Sequence, residues 1–340
     1  MPEFPTFKSL DEIRGLLAAL PGADEAAASA SRAREPQLTK PPGALGRLEE
    51  ISQWLAAWQG RHPPSLERVA VRVFAGNHGV ARRNVSAFPT DVTAQMVGNF
   101  EAGGAAINQL CQTVGAELAV VALDLDRPTA DFTEAPAMSE AEFIVAFQRG
   151  MEAAPCDADL LCVGEMGIGN TTSAAALANA LHGGAAVDWT GPGTGVGGVA
   201  LDAKARVVAE AVNVHRDADD GLDILRRLGG RELAAMAGAI VVARFNRTPV
   251  LLDGYVSAAA AAALAAQTPG ALDHCLSAHV SAEPGHRRLL AALEKVPLLD
   301  LGMRLGEASG AALAVSLVRA AAACHSGMAT FAEAAVSDKN

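Results

Sequence analysis

Aromatic residues are scarce in this chain: Phe, Trp and Tyr together make up 4% of the 340 residues, with a single tyrosine. Half of the residues are nevertheless apolar and 33 are glycine, so the apolar share rests largely on small and aliphatic side chains. This composition argues against global disorder and allows a large core. The small side chains predict closely packed helices and a backbone that comes near ligands.

Positive charge is also in short supply, since 27 Lys and Arg face 38 Asp and Glu, for a net charge of −11. Broad binding to nucleic acids or acidic membranes needs a basic surface, and we expect neither kind of partner. A small anionic ligand is still compatible with this charge, because a local group of backbone N–H donors can bind one.

Paired cysteine motifs and targeting segments are missing as well. The odd number of cysteines and the lack of a CxxC spacing predict buried free thiols in a reducing compartment. No basic segment precedes an apolar run at the N-terminus, and the alanine-rich runs 257–266 and 310–323 are too short or interrupted to cross a bilayer. We therefore expect a cytoplasmic protein without a membrane span. The five cysteines are Cys111, Cys156, Cys162, Cys275 and Cys324.

Secondary-structure patterns change along the chain. Residues 10–30 and 45–58 have helical periodicity, and beyond residue 65 short β-rich runs alternate with helical stretches. The β-rich runs are 69–79, 116–126, 159–167, 248–255 and 273–281. Alternation of this kind predicts an α/β fold, a Rossmann-like, doubly wound parallel sheet.

We divide the chain into two predicted domains. A Rossmann-like α/β domain spans 65–302 and carries the active site, and a small helical domain combines 1–64 with the mostly helical 303–340. Ligands of open parallel sheets bind at the carboxyl ends of the strands. The candidate motifs below fall at such positions.

The segment GEMGIGNTTSAAA, residues 164–176, is typical of a phosphate-binding loop between a strand and a helix. Its glycines permit unusual backbone angles, and Thr171 and Thr172 are predicted to cap the helix. Asn170 stands where a nucleoside-triphosphate loop has its lysine, so we expect a single phosphate ester instead. The alternative is an ordinary strand-to-helix turn.

A second glycine-rich loop lies at 190–198, before a predicted helix that contains Lys204. It matches the GxGxxG pattern, but the preceding AAVDW is a poor strand, so we discount a dinucleotide site. Two such loops favour a phosphorylated ligand, with Lys204 adding positive charge. Two flexible turns are the alternative.

Glu307 lies among apolar residues at a predicted helix start. Loss of solvation there would raise its pKa toward the range of a general base, whereas Arg304 or the helix dipole would lower it. The alternative is a glutamate that simply stabilises the helix N-terminus.

The histidines invite a metal interpretation that the spacing does not favour. His279, Glu283 and His286 do not have the spacing of zinc proteases, and we expect loop and helix-cap roles for them. His78 follows a predicted strand, where ligand contact and a structural hydrogen bond are both open. There is no GxSxG nucleophile elbow. We predict no metal site.

Eight motifs occur together and in order. They are KPPGALGRLE (40–49), AGNHGVA (75–81), VSAFPTDVTAQMVGNF (85–100), GEMGIGNTTSAAA, GPGTG, LLDGYVSAAAA, SAHVSAEPGH and LGMRLGEASGAALA. Through them the chain, from about residue 35 to the C-terminus, resembles the nicotinate-nucleotide–dimethylbenzimidazole phosphoribosyltransferases of cobalamin synthesis. The resemblance implies that nicotinate mononucleotide and 5,6-dimethylbenzimidazole give α-ribazole 5′-phosphate and nicotinate. It also implies a homodimer without cofactor or metal.

The same resemblance implies roles for individual residues. Glu307 is the implied general base. The implied binding residues for the benzimidazole are Ser86, Ala87, Phe88, Gln95, Met166 and Leu305. The implied phosphate and ribose contacts are Glu165, Gly167, Gly169, Asn170, Thr171, Gly193, Thr194, Gly195, Lys204 and Ser281. Pro192 stands where many relatives have Arg and removes one possible charge for the phosphate, so Lys204 and backbone amides become more important there. Ala44 and Ala87 stand where we expect serine, and Ala87 changes the contacts expected for the aromatic base.

Three other functions stay open on the sequence. A non-catalytic sensor of pyridine mononucleotides would keep the glycine loops without needing Glu307. A nicotinamide-dinucleotide dehydrogenase would need a good strand before the second loop. The same transfer could also use a different aromatic base.

Overall fold

The computed structural model describes residues 6–337 and contains one parallel five-stranded sheet. Every strand lies within one of the β-rich runs, so the predicted α/β class is confirmed. The central strands β1 and β3 are buried along almost their whole length, as expected for parallel strands covered on both faces. The strands are β1 Val69–Ala75, β2 Glu117–Ala122, β3 Leu160–Met166, β4 Val250–Leu252 and β5 Cys275–Ser277.

Helices make up most of the remainder. Three short 3-10 helices accompany them, at Glu35–Gln37, Gly79–Arg83 and Ala186–Asp188. Within residues 6–337 the α-helices are α1 Leu10–Ala18, α2 Glu25–Arg34, α3 Arg47–Gln59, α4 Asp91–Glu101, α5 Ala106–Val114, α6 Glu140–Ala153, α7 Asn170–His182, α8 Val199–Val214, α9 Gly221–Leu228, α10 Arg231–Phe245, α11 Tyr255–Gln267, α12 Pro284–Ala292 and α13 Ser309–Gly327.

The predicted helical stretch 10–30 is in fact two helices. Helix α1 ends at Ala18, and α2 begins at Glu25. Pro21 and Gly22 lie in the break, where proline lacks an N–H donor and glycine disfavours helix. Asp24 then caps α2, its carboxylate accepting a hydrogen bond of 2.9 Å from the Ala27 N–H.

The helices form a layer on each face of the sheet. One core joins the sheet to α1 and α6–α12, and a second joins it to α3–α5 and α13. Helices α10 and α11 are buried around almost their whole circumference, which their alanine-rich sequences permit. Helix α13 packs on both α3 and β3. The proposed boundaries between 1–64 with 303–340 and 65–302 remain a prediction, and residues 1–5 and 338–340 lie outside the described part.

The strand order determines where a ligand can enter. The order is β2-β1-β3-β4-β5, so the chain adds strands first on one side of β1 and then on the other. In such sheets the loops after the two strands at the reversal diverge and leave a crevice at their carboxyl ends. Here those loops follow Ala75 of β1 and Met166 of β3, which pair in register.

All five cysteines are free thiols. Cys111, Cys162 and Cys275 are buried as predicted, whereas Cys156 is exposed and Cys324 is half-buried. The expectation of buried thiols was therefore wrong for Cys156, which lies in the turn before β3. No helix in residues 6–337 is long and apolar enough to cross a membrane.

Candidate active site

A cleft opens at the carboxyl ends of β3, β4 and β5, so it shares the loop after β3 with the strand reversal but extends away from β1. Its empty volume is about 580 Å³, open solvent at the mouth included. The lining residues are Glu165, Met166, Gly167, Ile168, Asn170, Thr171, Gly193, Thr194, Gly254, Tyr255, Val256, His279, Ser281, Glu283, Arg304, Leu305 and Gly306.

The loop after β3 leads directly into α7. Gly169 is the N-cap residue and has a φ of 100°, a conformation that favours glycine. The predicted capping by Thr171 and Thr172 was wrong, because the helix already begins at Asn170. The Asn170 side-chain amide donates to the Glu165 carboxylate, and Thr171 lines the cleft. The positive end of the α7 dipole therefore lies beside the cleft.

Three charged side chains hold the second glycine loop. The Lys204 ammonium donates to the Gly191 carbonyl at 2.9 Å, and the Arg304 guanidinium donates to the Gly193 carbonyl at 2.7 Å. The Glu283 carboxylate accepts from the Gly193 N–H at 2.8 Å. This loop is consequently fixed by charged side chains from three different segments of the chain.

Lys204 links the two glycine loops. Besides Gly191, its ammonium donates to the Thr171 hydroxyl at 2.8 Å. The side chain is 1% exposed, and burial lowers the pKa of Lys204 to about 8, with Glu283 opposing the shift. One buried positive charge thus lies where both glycine loops meet.

Glu307 is held in an uncommon backbone conformation. Glu307 and Ala308 have φ angles of 61° and 59°, a region that costs non-glycine residues about 1–3 kcal/mol and is concentrated at functional sites. The Glu307 N–H donates to the Glu165 carbonyl at 3.0 Å. Ala308 lies so close to β3 that a Cβ on Gly164 would come within 2.1 Å of its nitrogen. Strand β3 therefore positions Glu307 directly.

The Glu307 carboxyl group is 4% exposed, and its Oε2 has no hydrogen-bond partner among the described residues. Burial raises its pKa to about 7. The sequence also predicts that Arg304 could lower the pKa of Glu307. Its guanidinium instead donates a hydrogen bond to the Gly193 carbonyl. A carboxyl group with a free oxygen and a pKa near neutrality can accept a proton at physiological pH.

Two more buried carboxyl groups accompany Glu307. Burial, and then the charges of Asp253, Glu232 and Glu307, raise the pKa of Glu165 well above its usual range. Burial raises the pKa of Asp253 to about 7, although Asp253 also accepts from the Ala311 N–H at 2.9 Å. None of Glu165, Asp253 and Glu307 pairs with a Lys or Arg within residues 6–337.

The segment implied to bind the aromatic base reaches the cleft only in part. Met166 and Leu305 line it, and the Ser86 hydroxyl lies 3.0 Å from that of Thr194, a lining residue. The other members of the implied set, Ala87, Phe88 and Gln95, are exposed and outside the described lining. Phe88 and Leu305 are 51% and 55% exposed, so apolar surface is open to solvent here.

The histidines have different local roles. His286 Nδ1 accepts from the Ser281 N–H at 2.8 Å, as a loop role predicts. Glu283 is the N-cap residue of α12, but its carboxylate bonds Gly193 rather than the helix. His78 is fully buried, and its Nε2 lies 2.5 Å from a carboxylate oxygen of Glu232. This contact supports the structural hydrogen bond for His78 rather than the contact with a ligand. Among residues 6–337, no group of three or more His, Cys, Asp and Glu is placed to hold a metal ion.

Comparison with known proteins identifies the family. A family model described as phosphoribosyltransferase matches residues 20–336. Proteins named nicotinate-nucleotide–dimethylbenzimidazole phosphoribosyltransferase from Sinorhizobium medicae and Cereibacter sphaeroides are 61% and 59% identical, and each alignment covers at least 97% of both chains. This chain belongs to the nicotinate-nucleotide–dimethylbenzimidazole phosphoribosyltransferase family.

Solved structures agree with this family assignment. A crystal structure described as CobT from Thermus thermophilus is 43% identical, with a TM-score of 0.88 over 92% of this chain and 100% of that one. A second, named as the same phosphoribosyltransferase from Thermus thermophilus, is 42% identical with a TM-score of 0.85 over 93% of this chain and 100% of that one. The resemblance, the fold class and the assignment as a pentosyltransferase are thereby confirmed.

The sequence located part of this phosphoribosyltransferase cleft. Of the predicted residues, Gly169, Lys204, Ser86 and Glu307 adjoin the lining through the contacts above, whereas Gly195 lies in an exposed turn. Nine predicted residues line the cleft: Glu165, Met166, Gly167, Asn170, Thr171, Gly193, Thr194, Ser281 and Leu305. Residues that the sequence reasoning missed as lining are Ile168, Gly254, Tyr255, Val256, His279, Glu283, Arg304 and Gly306. Position after a strand was the available signal for Gly254 and His279.

The dehydrogenase interpretation is not supported. In this phosphoribosyltransferase the GxGxxG loop follows the short 3-10 helix Ala186–Asp188 rather than a strand. A dinucleotide fingerprint needs a strand at that position.

Proposed function

We propose that this cleft transfers the phosphoribosyl group of nicotinate mononucleotide to 5,6-dimethylbenzimidazole, giving α-ribazole 5′-phosphate and nicotinate. The single observation that carries the proposal is the Glu307 carboxyl group, buried and with a free Oε2, beside a loop that opens a helix. The names and full-length similarity of the relatives support the same reaction.

The 5′-phosphate of the donor is assigned to the α7 end of the cleft. Thr171 and Lys204 meet there, beside the positive end of the helix dipole. A single phosphate ester needs neither the phosphate-binding lysine nor the magnesium ion of a nucleoside-triphosphate loop, in keeping with Asn170 in the loop. Binding energy from this non-reacting group holds the ribose in place for reaction at its anomeric carbon.

Glu307 acts as the general base. One benzimidazole nitrogen attacks C1′ of the ribose as the bond from C1′ to the nicotinate nitrogen breaks. The other nitrogen gives its proton to Glu307. Nicotinate leaves as a neutral ring nitrogen, because that nitrogen is cationic while it is bonded to the sugar. Attack opposite the leaving group converts the β-nucleotide into the α-product.

The aromatic acceptor is assigned to the mouth of the cleft, near Met166, Leu305 and the segment 86–88. Apolar surface from Leu305 and Phe88 is available there. A flat heterocycle that covers this surface gains about 25 cal/mol per Å² of apolar area removed from water. Few polar groups are then needed to orient it.

The proposal is tested by incubating the purified protein with nicotinate mononucleotide and 5,6-dimethylbenzimidazole in the presence of a metal chelator. We expect nicotinate release with equal formation of α-ribazole 5′-phosphate, followed by chromatography and NMR of the anomeric proton. Absence of nicotinate release contradicts the proposal. Competition with adenine and other benzimidazoles then measures which aromatic base is preferred.

We further propose that the protein is a homodimer of a reducing compartment such as the cytoplasm. The five free thiols support the compartment. The dimer rests on the family resemblance, and analytical ultracentrifugation at several protein concentrations tests it.

A further inference from the structure

Two histidines of the segment SAHVSAEPGH differ in how their ring nitrogens are used. His286 Nδ1 accepts a hydrogen bond from the Ser281 N–H at 2.8 Å and so fixes the turn before α12. His279 is 1% exposed, yet neither of its ring nitrogens makes a hydrogen bond of normal geometry in the described structure. His279 also lines the cleft, which His286 does not.

The surroundings of His279 hold its ring in place, and the nearby Val280 backbone carbonyl does not meet hydrogen-bond geometry with it. The ring lies against α13, where a Cβ on Gly310 would come within 2.1 Å of Cδ2. Asp253 Oδ1 lies 3.6 Å from Nε2, beyond hydrogen-bond distance, and already accepts from the Ala311 N–H. A buried polar group left without a partner costs about 1–3 kcal/mol. Such a group in the wall of a cleft is one that a ligand can satisfy.

We propose that His279 binds a hydroxyl group of the donor's ribose. This inference rests on the proposed function. It gives His279 a contact with the substrate, whereas the sequence predicts only a loop or helix-cap role for this residue. A hydroxyl can accept from an imidazole N–H or donate to a bare ring nitrogen, so either tautomer of His279 serves.

The charge of the site favours a hydroxyl over the phosphate as the partner. Burial lowers the pKa of His279, although the Val280 backbone carbonyl opposes the shift, so the ring is neutral at physiological pH. The phosphate has a cation elsewhere, since Lys204 lies with Thr171 at the other glycine loop. His279 instead lies next to Asp253, where an added anion would meet a carboxyl group.

The test is calorimetric binding of nicotinate mononucleotide and of its 2′-deoxy and 3′-deoxy analogues. We compare the wild-type protein with His279→Leu, which removes both ring nitrogens. We expect the substitution to weaken binding of nicotinate mononucleotide about 5- to 10-fold, the usual size of one net hydrogen bond. Against one of the two deoxy analogues, which lacks the contacted hydroxyl, the substitution should cost nothing.

Two further variants separate contact from structure. His279→Asn and His279→Gln each retain an amide near one ring nitrogen, and we expect one of them to recover part of the lost affinity. If His279→Leu does not fold, the affinities of these two variants are compared with those of the wild-type protein instead. His274→Leu is the matched control, because His274 is equally buried but its Nε2–H donates a hydrogen bond to the Ile240 carbonyl, 2.9 Å away. It should lower the midpoint of thermal unfolding without changing any of the three affinities.

The outcomes distinguish this inference from the proposed function. An equal loss of affinity for all three ligands in His279→Leu, or no loss for any, overturns the role of His279 while the proposed function stands. If the wild-type protein does not bind nicotinate mononucleotide, the proposed function fails, and the inference fails with it.

Discussion

Buried charges are paired where the terminal helices meet, whereas three buried carboxyl groups at the cleft have no cationic partner among the described residues. Near the chain ends, the Lys40 ammonium lies 2.9 Å from the Glu35 carboxylate and 2.6 Å from that of Glu49. His325 Nδ1 lies 2.6 Å from the other oxygen of Glu35 and so ties α13 to this network. In the cleft, Glu165, Asp253 and Glu307 have no cationic partner among the described residues.

The difference separates charges that hold the fold from charges that are available for chemistry. Lys40 and its partners satisfy one another, so burying them leaves little charge uncompensated. Glu307 has no cationic partner among the described residues, and burial raises its pKa to about 7. The unpaired carboxyl group of Glu307 lowers the stability of the fold and provides a proton acceptor. Substitutions in the two regions should consequently have opposite effects on stability and activity.

The largest expected effect is loss of catalysis in Glu307→Gln. The amide keeps the size of the side chain but cannot accept the benzimidazole proton, so kcat should fall about 10²- to 10⁴-fold. Steady-state release of nicotinate measures the loss. Glu101→Gln, an exposed carboxylate on α4, is the control and should leave kcat unchanged. A Glu307→Gln enzyme with wild-type kcat would contradict the assignment of the base.

Lys40→Met should destabilise the protein with little effect on kcat. It leaves Glu35 and Glu49 buried without their cation, and breaking a buried pair usually costs about 3–5 kcal/mol. We expect about 2–4 kcal/mol, because the exposed segment 41–44 admits solvent nearby. Denaturant unfolding measures the change.

The control for Lys40→Met is Arg68→Met. Arg68 pairs with Asp157, and both side chains are about 60% exposed. Surface pairs contribute about 0–1 kcal/mol, so this variant should unfold almost like the wild type. Equal losses in the two variants would remove the distinction between the buried network and an ordinary ion pair.

Lys204→Met should weaken donor binding, since it removes the only cation that joins both glycine loops in residues 6–337. A charge-assisted hydrogen bond contributes about 1.5–3 kcal/mol, so KM for nicotinate mononucleotide should rise about 10- to 100-fold. Arg206→Met, at an exposed position of the same helix, should leave KM unchanged. An unchanged KM in Lys204→Met would place the phosphate elsewhere.

The smallest effect is a pH-dependent gain of stability in Glu307→Gln. The pKa of Glu307 is about 7 in the folded protein, above the value of about 4.3 for an unfolded chain. The folded state therefore binds the proton more tightly, and wild-type stability is lost as pH rises from about 4 to 7. The variant should be more stable by about 1–2 kcal/mol at pH 8, allowing for solvent that reaches the cleft.

At pH 4 the Glu307→Gln variant and the wild type should unfold alike, because both then carry a neutral side chain. Thermal unfolding at the two pH values measures the difference. The same ionisation predicts that wild-type kcat/KM rises with pH through about 7, as the base loses its proton. A gain of stability that does not depend on pH would mean that packing, and not charge, is responsible.

Much of the fold was available from the sequence. Strands β1 and β3 could be predicted because parallel central strands read as continuous apolar runs that end in glycine-bearing turns. Residues 10–30 form two helices rather than one. Pro21 and Gly22 mark the break between them, but the helical periodicity continues on either side and predicts a single helix. The predicted N-terminus of α7 was also wrong, because the N-cap residue is Gly169 and not one of the threonines that follow it.

Less of the cleft could be predicted, because its geometry depends on residues that are distant in sequence. Arg304 and Glu283 hold Gly193, and no local pattern reports a contact across 111 or 90 positions. His279 was noticed only as a member of a metal-like spacing. Its lack of a hydrogen-bond partner is a property of the folded environment, which spacing cannot reveal.

The backbone contact between Glu307 and β3 also has a consequence for the synthesis of the protein. Glu307 lies about 140 residues after the end of β3, which a ribosome adds in roughly 10–30 s at ordinary elongation rates. By the end of that interval both glycine loops have been made, whereas the reactive carboxylate and the helix that follows it come last. The cleft and its base are therefore completed only at the end of synthesis, when the segment around Glu307 reaches β3 and α13 packs on that strand.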